Sequence, residues 1–178
     1  MNKPPSIRHF HSLVFGALLL AGAASAQQKA DFKNHPFFNR LVGEWTSEGE
    51  EKGKGTTVKF KQEWKGQVPG DNTFTIEGTR EIAGLATHYK WTFKRTDSGP
   101  IEASLQPDIK KPPSMRYEVK VADDGSRMEM TALLPSKVKV AIVESFKDGG
   151  HDVLEVTVTT SDASGTRVYS STAVSRRK

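Results

Sequence analysis

From Thr57 onward, polar and apolar residues change places at every step. Val58, Phe60, Gln62 and Trp64 fall on one side of the chain, and Thr57, Lys59, Lys61 and Glu63 on the other. A period of two suits a strand buried on one face; a helix would repeat every 3.6 residues. The pattern returns in Phe74, Ile76, Gly78, Arg80 and Ile82, then in Tyr89, Trp91 and Phe93. Further on come Tyr117, Val119 and Val121, then Met128, Met130, Ala132 and Leu134. Val138, Val140, Ile142, Glu144 and Phe146 follow, and Val156 and Val158 mark a strand near 152–160. Val168, Ser170, Thr172 and Val174 make the last series, its phase set by the valines.

The connections are short. Gly66 to Asn72, Asp97 to Pro100, Asp123 to Gly125, Asp148 to Gly150 and Ala163 to Gly165 all carry the Gly, Pro, Asn, Asp and Ser of turns. Gln106 to Pro113 reads as a stiffer loop rich in proline and lysine. Such spacing leaves no room for crossover helices and predicts a meander of about nine or ten antiparallel strands. A flat sheet of that length would expose two edges, and closure removes them. The expected fold is an all-β, antiparallel up-and-down β-barrel, with a two-sheet sandwich as the alternative.

One helix precedes the strands. Asn34 can cap it, Pro36 suits its first turn, and Phe37, Phe38 and Leu41 share a side. The expected span is His35 to Val42, ended by Gly43. Ahead of it, Lys3 and Arg8, the apolar run from Leu13 to Gly22 and Ala24-Ser25-Ala26 have the layout of a secretory signal peptide. That apolar run is about half the ~20 residues a spanning helix needs. Residues 1–26 are therefore expected to be a leader and 27–178 one barrel domain, periplasmic or secreted in a bacterium. No integral membrane segment is expected once the leader is cleaved. The chain has no cysteine, so disulfides, thiolate metal sites and a cysteine nucleophile are excluded. Its 26 basic and 21 acidic residues are spread along the chain. They read as a solvated surface, and no nucleic-acid partner is expected.

Gly43-Glu44-Trp45 is a G-x-W set between the helix and the first strand. It resembles the entry to lipocalin-like barrels of the calycin superfamily, above all the exported bacterial domains of the DUF1579 type. Their first strand reads much like Leu41-Val42-Gly43-Glu44-Trp45. The resemblance implies that Gly43 and Trp45 form a structural plug at the closed end of a barrel. A second resemblance, on Leu41, Gly43, Trp45, Glu48, Gly49 and Glu50, is to nitrobindin-like haem barrels. Those proteins hold iron through a histidine near the C-terminal strand, whereas Thr166 to Lys178 contains none. Neither haem nor any other cofactor is expected.

After the leader the histidines are His35, His88 and His151, in none of the local spacings that hold a metal. All three read as surface residues, and no metal site is expected. No G-x-S-x-G, phosphate loop or paired-carboxylate signature is present, so no catalytic residue is assigned. Three polar residues nevertheless sit in apolar series: Gln62, Arg80 and Glu144. A buried charge is costly unless paired or near water. Arg80 and Glu144 could pair with each other, or lie at an open barrel end, or be turned outward by a bulge. Alternatively Arg80, Glu144 and Gln62 could be the polar points of an apolar cup lined by Tyr89, Trp91, Tyr117, Met128 and Met130. The leading functional expectation is an exported binding protein for a small apolar or amphipathic ligand, anionic in one version. The alternatives are an envelope interaction module with a filled barrel, and a cavity-type isomerase or hydrolase using Glu144 as base.

Overall fold

A computed structural model describes residues 31–96, 99–108 and 115–178. The expected leader, residues 1–26, lies outside them, as does most of the lysine-proline loop. Ten strands follow one short helix, α1 (Phe38–Leu41). They are β1 (Gly43–Gly53), β2 (Thr56–Gly70), β3 (Thr73–Ile82), β4 (Leu85–Arg95) and β5 (Ile101–Gln106). The second half comprises β6 (Met115–Val121), β7 (Arg127–Leu133), β8 (Lys139–Phe146), β9 (Val153–Ser161) and β10 (Arg167–Arg177). Each pairs antiparallel with the next, and β10 returns to β1, so the sheet is a closed up-and-down barrel. No strand is left with an unpaired edge, which is the physical gain of closure.

The alternating series become the inner wall. Trp45 and Ser47 of β1, Phe60 and Trp64 of β2, and Phe74 and Ile76 of β3 are all buried. One end is shut by aromatics. Phe32, Phe37, Phe38 and Leu41 are at most 1% exposed, and each such side chain removed from water contributes roughly 1.5–3 kcal/mol. Phe38 packs on Phe74 and Phe93, with ring centroids 5.1 Å apart in both cases. Phe37 meets Phe146. The chain comes so close to the barrel here that a Cβ on Gly66 would sit 2.1 Å from the Leu41 carbonyl oxygen. Gly43 turns the chain from helix into sheet at φ +120°, which side chains disfavour.

Trp45, for which the G-x-W resemblance implies a plug, lies in the core next to this end. It is fully buried and stacks on Trp64 at 5.1 Å with planes 3° apart. Its indole N–H donates to the Leu41 carbonyl at 3.2 Å. Arg177 lies over its other side, 4.7 Å from the ring, and donates to the carbonyls of Val42 and Arg40. The last strand thereby clamps the segment that enters the first.

Several local expectations change. The helix is only Phe38–Leu41, with Phe37 rather than Asn34 at its start. Asn34 is drawn instead into a turn by Asp31, whose carboxylate accepts its backbone N–H. The stretch from Gly66 to Asn72 is not all loop: β2 continues to Gly70, with a register shift between Gln67 and Gly70. That shift lies at Pro69, which has no N–H to give a regular ladder. An additional strand, β5, runs from Ile101 to Gln106; its inner Ala103 is too small to have announced it.

The phase of β10 is inverted. Val168 and Val174 are 45% and 38% exposed, while Ser171 and Ser175 are buried. The reason is register. Ser175 pairs with Ser47, and Ala173 with Gly49, and paired antiparallel residues project to the same face. With Trp45 fixed inside, the odd positions of β10 must also point inward. His35 is not a surface residue either. It is half-buried, meets the Phe38 ring and accepts the Phe37 N–H at Nδ1, 3.2 Å away. Burial, with the Arg95 charge adding to it, pulls its pKa from 6.5 to about 4. His88 and His151 are exposed.

Candidate functional site

Above the aromatic end the barrel is hollow. A cavity of about 360 Å³ lies between β2, β3 and β4 on one side and β8, β9 and β10 on the other. Its volume is within the range of small-molecule sites. The void follows from side-chain size. Along the cavity the inner face of β10 carries Tyr169 and then the small Ser171, Ala173 and Ser175, and the β1 partners of the last two are the equally small Gly49 and Ser47. The large side chains come from Phe60 and Trp64 of β2 and Tyr89 and Trp91 of β4. Small residues on one wall leave space that the large ones do not fill.

Trp64 borders the inner end of the cavity, directly above Trp45. Its indole N–H donates to the Ser47 hydroxyl at 2.9 Å, and Ser47 is 2.7 Å from the Ser175 hydroxyl. The polar atoms of this floor therefore satisfy one another, as buried polar groups must. Phe60 crosses over Gly49, where a Cβ would lie 2.5 Å from the ring. Tyr89 uses Gly78 in the same way, with its hydroxyl 2.8 Å from where a Cβ would be.

Six residues singled out in the sequence border this cavity: Gln62, Arg80, Tyr89, Trp91, Tyr117 and Glu144. Two do not. Met128 and Met130 are 0% and 1% exposed and belong to the packed core. Flexible, unbranched thioethers fill irregular space well, and here that space is filled core. Glu51, Tyr169, Ser171 and Ser175 were missed. Glu51 was legible, being the next odd position of β1 after Trp45, Ser47 and Gly49. The β10 residues were hidden by the exposed valines.

The two inward charges do not pair with each other. Arg80 forms its ion pair with Glu51 of β1. Glu51 also accepts the Tyr169 hydroxyl at 2.5 Å, and the Arg80 guanidinium lies 4.0 Å from the centre of the Phe60 ring. This cluster stands towards the open rim, where β3 runs into the Ala83-Gly84 turn. At 27% and 21% side-chain exposure, the pair is partly reached by water.

Glu144 lies deeper. It is 9% exposed, and its Oε2 is buried with no hydrogen-bond partner among the described residues. Burial pushes its pKa from 4.5 up to about 7. Burial also raises the Tyr89 phenol, and the charge of Glu144 raises it further. The Tyr89 hydroxyl is directed to Gln62 Oε1, at a long 3.5 Å. Among the described residues no group of three or more His, Cys, Asp or Glu could hold a metal ion. No helix among them is long and apolar enough to cross a membrane.

No protein-family model matches the chain, and no curated protein matches it either. Solved structures do. The S-type phycobiliprotein lyase CPES of Guillardia theta superposes with a TM-score of 0.55 at 12% identity, over 80% of this chain and 90% of that one. Rv2717c from M. tuberculosis gives 0.52 at 16% identity, over 78% and 93%. A protein with unknown function from the DUF3598 family of Nostoc punctiforme gives 0.51 at 10% identity, covering 79% of this chain and 49% of that one. At these identities the likeness is one of fold alone: a closed antiparallel β-barrel.

Proposed function

We propose that this protein is a binding protein that takes one small, largely apolar molecule into its barrel. The observation that carries the reading is the cavity of about 360 Å³, bordered by Phe60, Trp64, Trp91 and Ile142 and interrupted by a few polar groups. Apolar walls supply affinity by desolvation, and sparse polar groups set orientation. A barrel packed solid with side chains would have argued for a purely structural module. Two of the outward lysines that could serve such a module already face carboxylates: Lys61 with Glu48 at 3.6 Å and Lys90 with Glu77 at 2.5 Å. The superposition on a phycobiliprotein lyase supports the fold on which this reading stands. The Leu41 to Trp45 segment further supports assignment to the exported DUF1579-type domains. The leader-like residues 1–26 support a periplasmic or secreted location.

The test uses prodan, a naphthalene dye without N–H or O–H groups, whose emission moves to the blue in apolar surroundings. The full mature chain is expected to shift that emission saturably at one site. Ala173→Phe, which adds a ring to the small-residue wall, should abolish the shift while leaving the circular dichroism unchanged. Absence of any shift with folded wild-type protein would refute the proposal. Native mass spectrometry of protein from its own host is expected to show a bound small molecule.

A further inference from the structure

We infer that the occupant of the barrel presents a hydrogen-bond donor, a neutral N–H or O–H, to Glu144, and that it is not an anion held by Arg80. This inference rests on the ligand-binding reading above and specifies its chemistry. Two of the side chains bordering the cavity, Arg80 and Glu144, are a base and a carboxylic acid, and their surroundings differ. Arg80 is already answered. Its charge is matched by Glu51, its guanidinium is spread over the Phe60 ring, and Tyr169 donates to the same carboxylate. Its Nε, buried without a hydrogen-bond partner among the described residues, belongs to that same stacked group. An anionic ligand brought to Arg80 would meet the Glu51 carboxylate beside it.

Glu144 is the unanswered group. It is nine-tenths buried, borders the cavity and keeps an oxygen, Oε2, without a partner. Leaving a buried acceptor unmade is among the costlier things a fold does, and native proteins do it rarely. The described residues offer no partner. Tyr89, the nearest phenol on β4, is directed to Gln62, and Arg80 is occupied on the far side with Glu51. A carboxyl in either protonation state has an oxygen able to accept. A ligand donor therefore finds an acceptor here in either state, and the cavity-lining Val156, Ile142 and Trp91 suit an otherwise apolar, ring-shaped body.

The inference can be read by competition against prodan. One competitor is N-phenyl-1-naphthylamine, which carries a single N–H between two aromatic bodies. The other is its ether isostere, 1-phenoxynaphthalene, which has the same shape and no donor. Wild-type protein is expected to bind the amine about tenfold or more tightly than the ether, the worth of one hydrogen bond to a charged or buried acceptor. In Glu144→Leu the two should bind equally, and in Glu144→Gln, which keeps an acceptor oxygen, part of the preference should remain. Should Glu144→Leu fail to fold, the wild-type ratio and Glu144→Gln still decide. Equal binding of amine and ether by the wild type overturns the donor inference and leaves the binding proposal standing. The same holds if 1-naphthoate displaces prodan better than either. If folded wild-type protein binds neither prodan nor any competitor, both readings fall.

Discussion

Glu144→Leu should make the empty protein more stable, and increasingly so as pH rises. The folded carboxyl keeps its proton up to a pH of about 7, whereas its ordinary value is 4.5. Between those values the native state binds more protons than the unfolded state, so wild-type stability falls as pH rises and levels off above about 7. This is the reverse of the usual behaviour of a carboxylate that gains a partner on folding. At about 1.4 kcal/mol for each tenfold change in proton affinity, the loss is about 3 kcal/mol. A further cost of about 1 kcal/mol belongs to the unpartnered neutral carboxyl and is present at every pH. Leucine escapes both. The variant should exceed wild type by about 1 kcal/mol at pH 4 and by about 4 kcal/mol at pH 8. For a chain of this size that pH-dependent part is roughly 6–12 °C in Tm. The Tyr89 phenol of β4 feels the Glu144 charge, and Arg80 of β3 and Tyr169 of β10 border the same cavity. They are common to both proteins, so the difference between the two isolates Glu144. Urea unfolding followed by far-ultraviolet circular dichroism from pH 4 to 8 measures it. A variant no more stable than wild type at pH 8, or a gain flat across pH, would refute the reasoning.

Trp45→Ala should cost about 3–5 kcal/mol, because it empties the barrel floor and orphans the stack on Trp64; the urea midpoint checks this. Gly66→Ala adds one methyl yet should destabilise by about 1–3 kcal/mol, since its Cβ would strike the Leu41 carbonyl. No loss of stability there would show that the entry segment is not tightly seated. A double-mutant cycle of Arg80→Met and Glu51→Gln should give a coupling of about 0.5–3 kcal/mol, diminished at high salt. A coupling near zero would mean that the rim pair is solvated rather than built.

Much of the wall was legible because alternation is a local property. Phe60, Gln62 and Trp64 needed only their own neighbours to declare a face, and the same holds for Tyr89, Trp91 and Phe93. Glu51 could have been read from β1 in the same way. Other features depended on partners distant in sequence. The valines of β10 pointed to one face by their own hydrophobicity, yet Ser175 is held inside by pairing with Ser47, 128 residues away. The methionines Met128 and Met130 carry the same pattern whether they border a void or fill a core. Only the sizes of the residues across the barrel separate those cases.

The sequence by itself determined the strand period, the short connections and the tryptophan at the doorway, and with them an all-β meander that gains by closing. Tertiary structure alone decided which inward charges meet. Closure of β1 onto β10 set Glu51 and Tyr169 in one cluster with Arg80, and left Glu144 with an oxygen that none of the described residues answers. A strand's periodicity says which way a side chain points. What it points at is set by register and closure, which are long-range properties of the whole sheet.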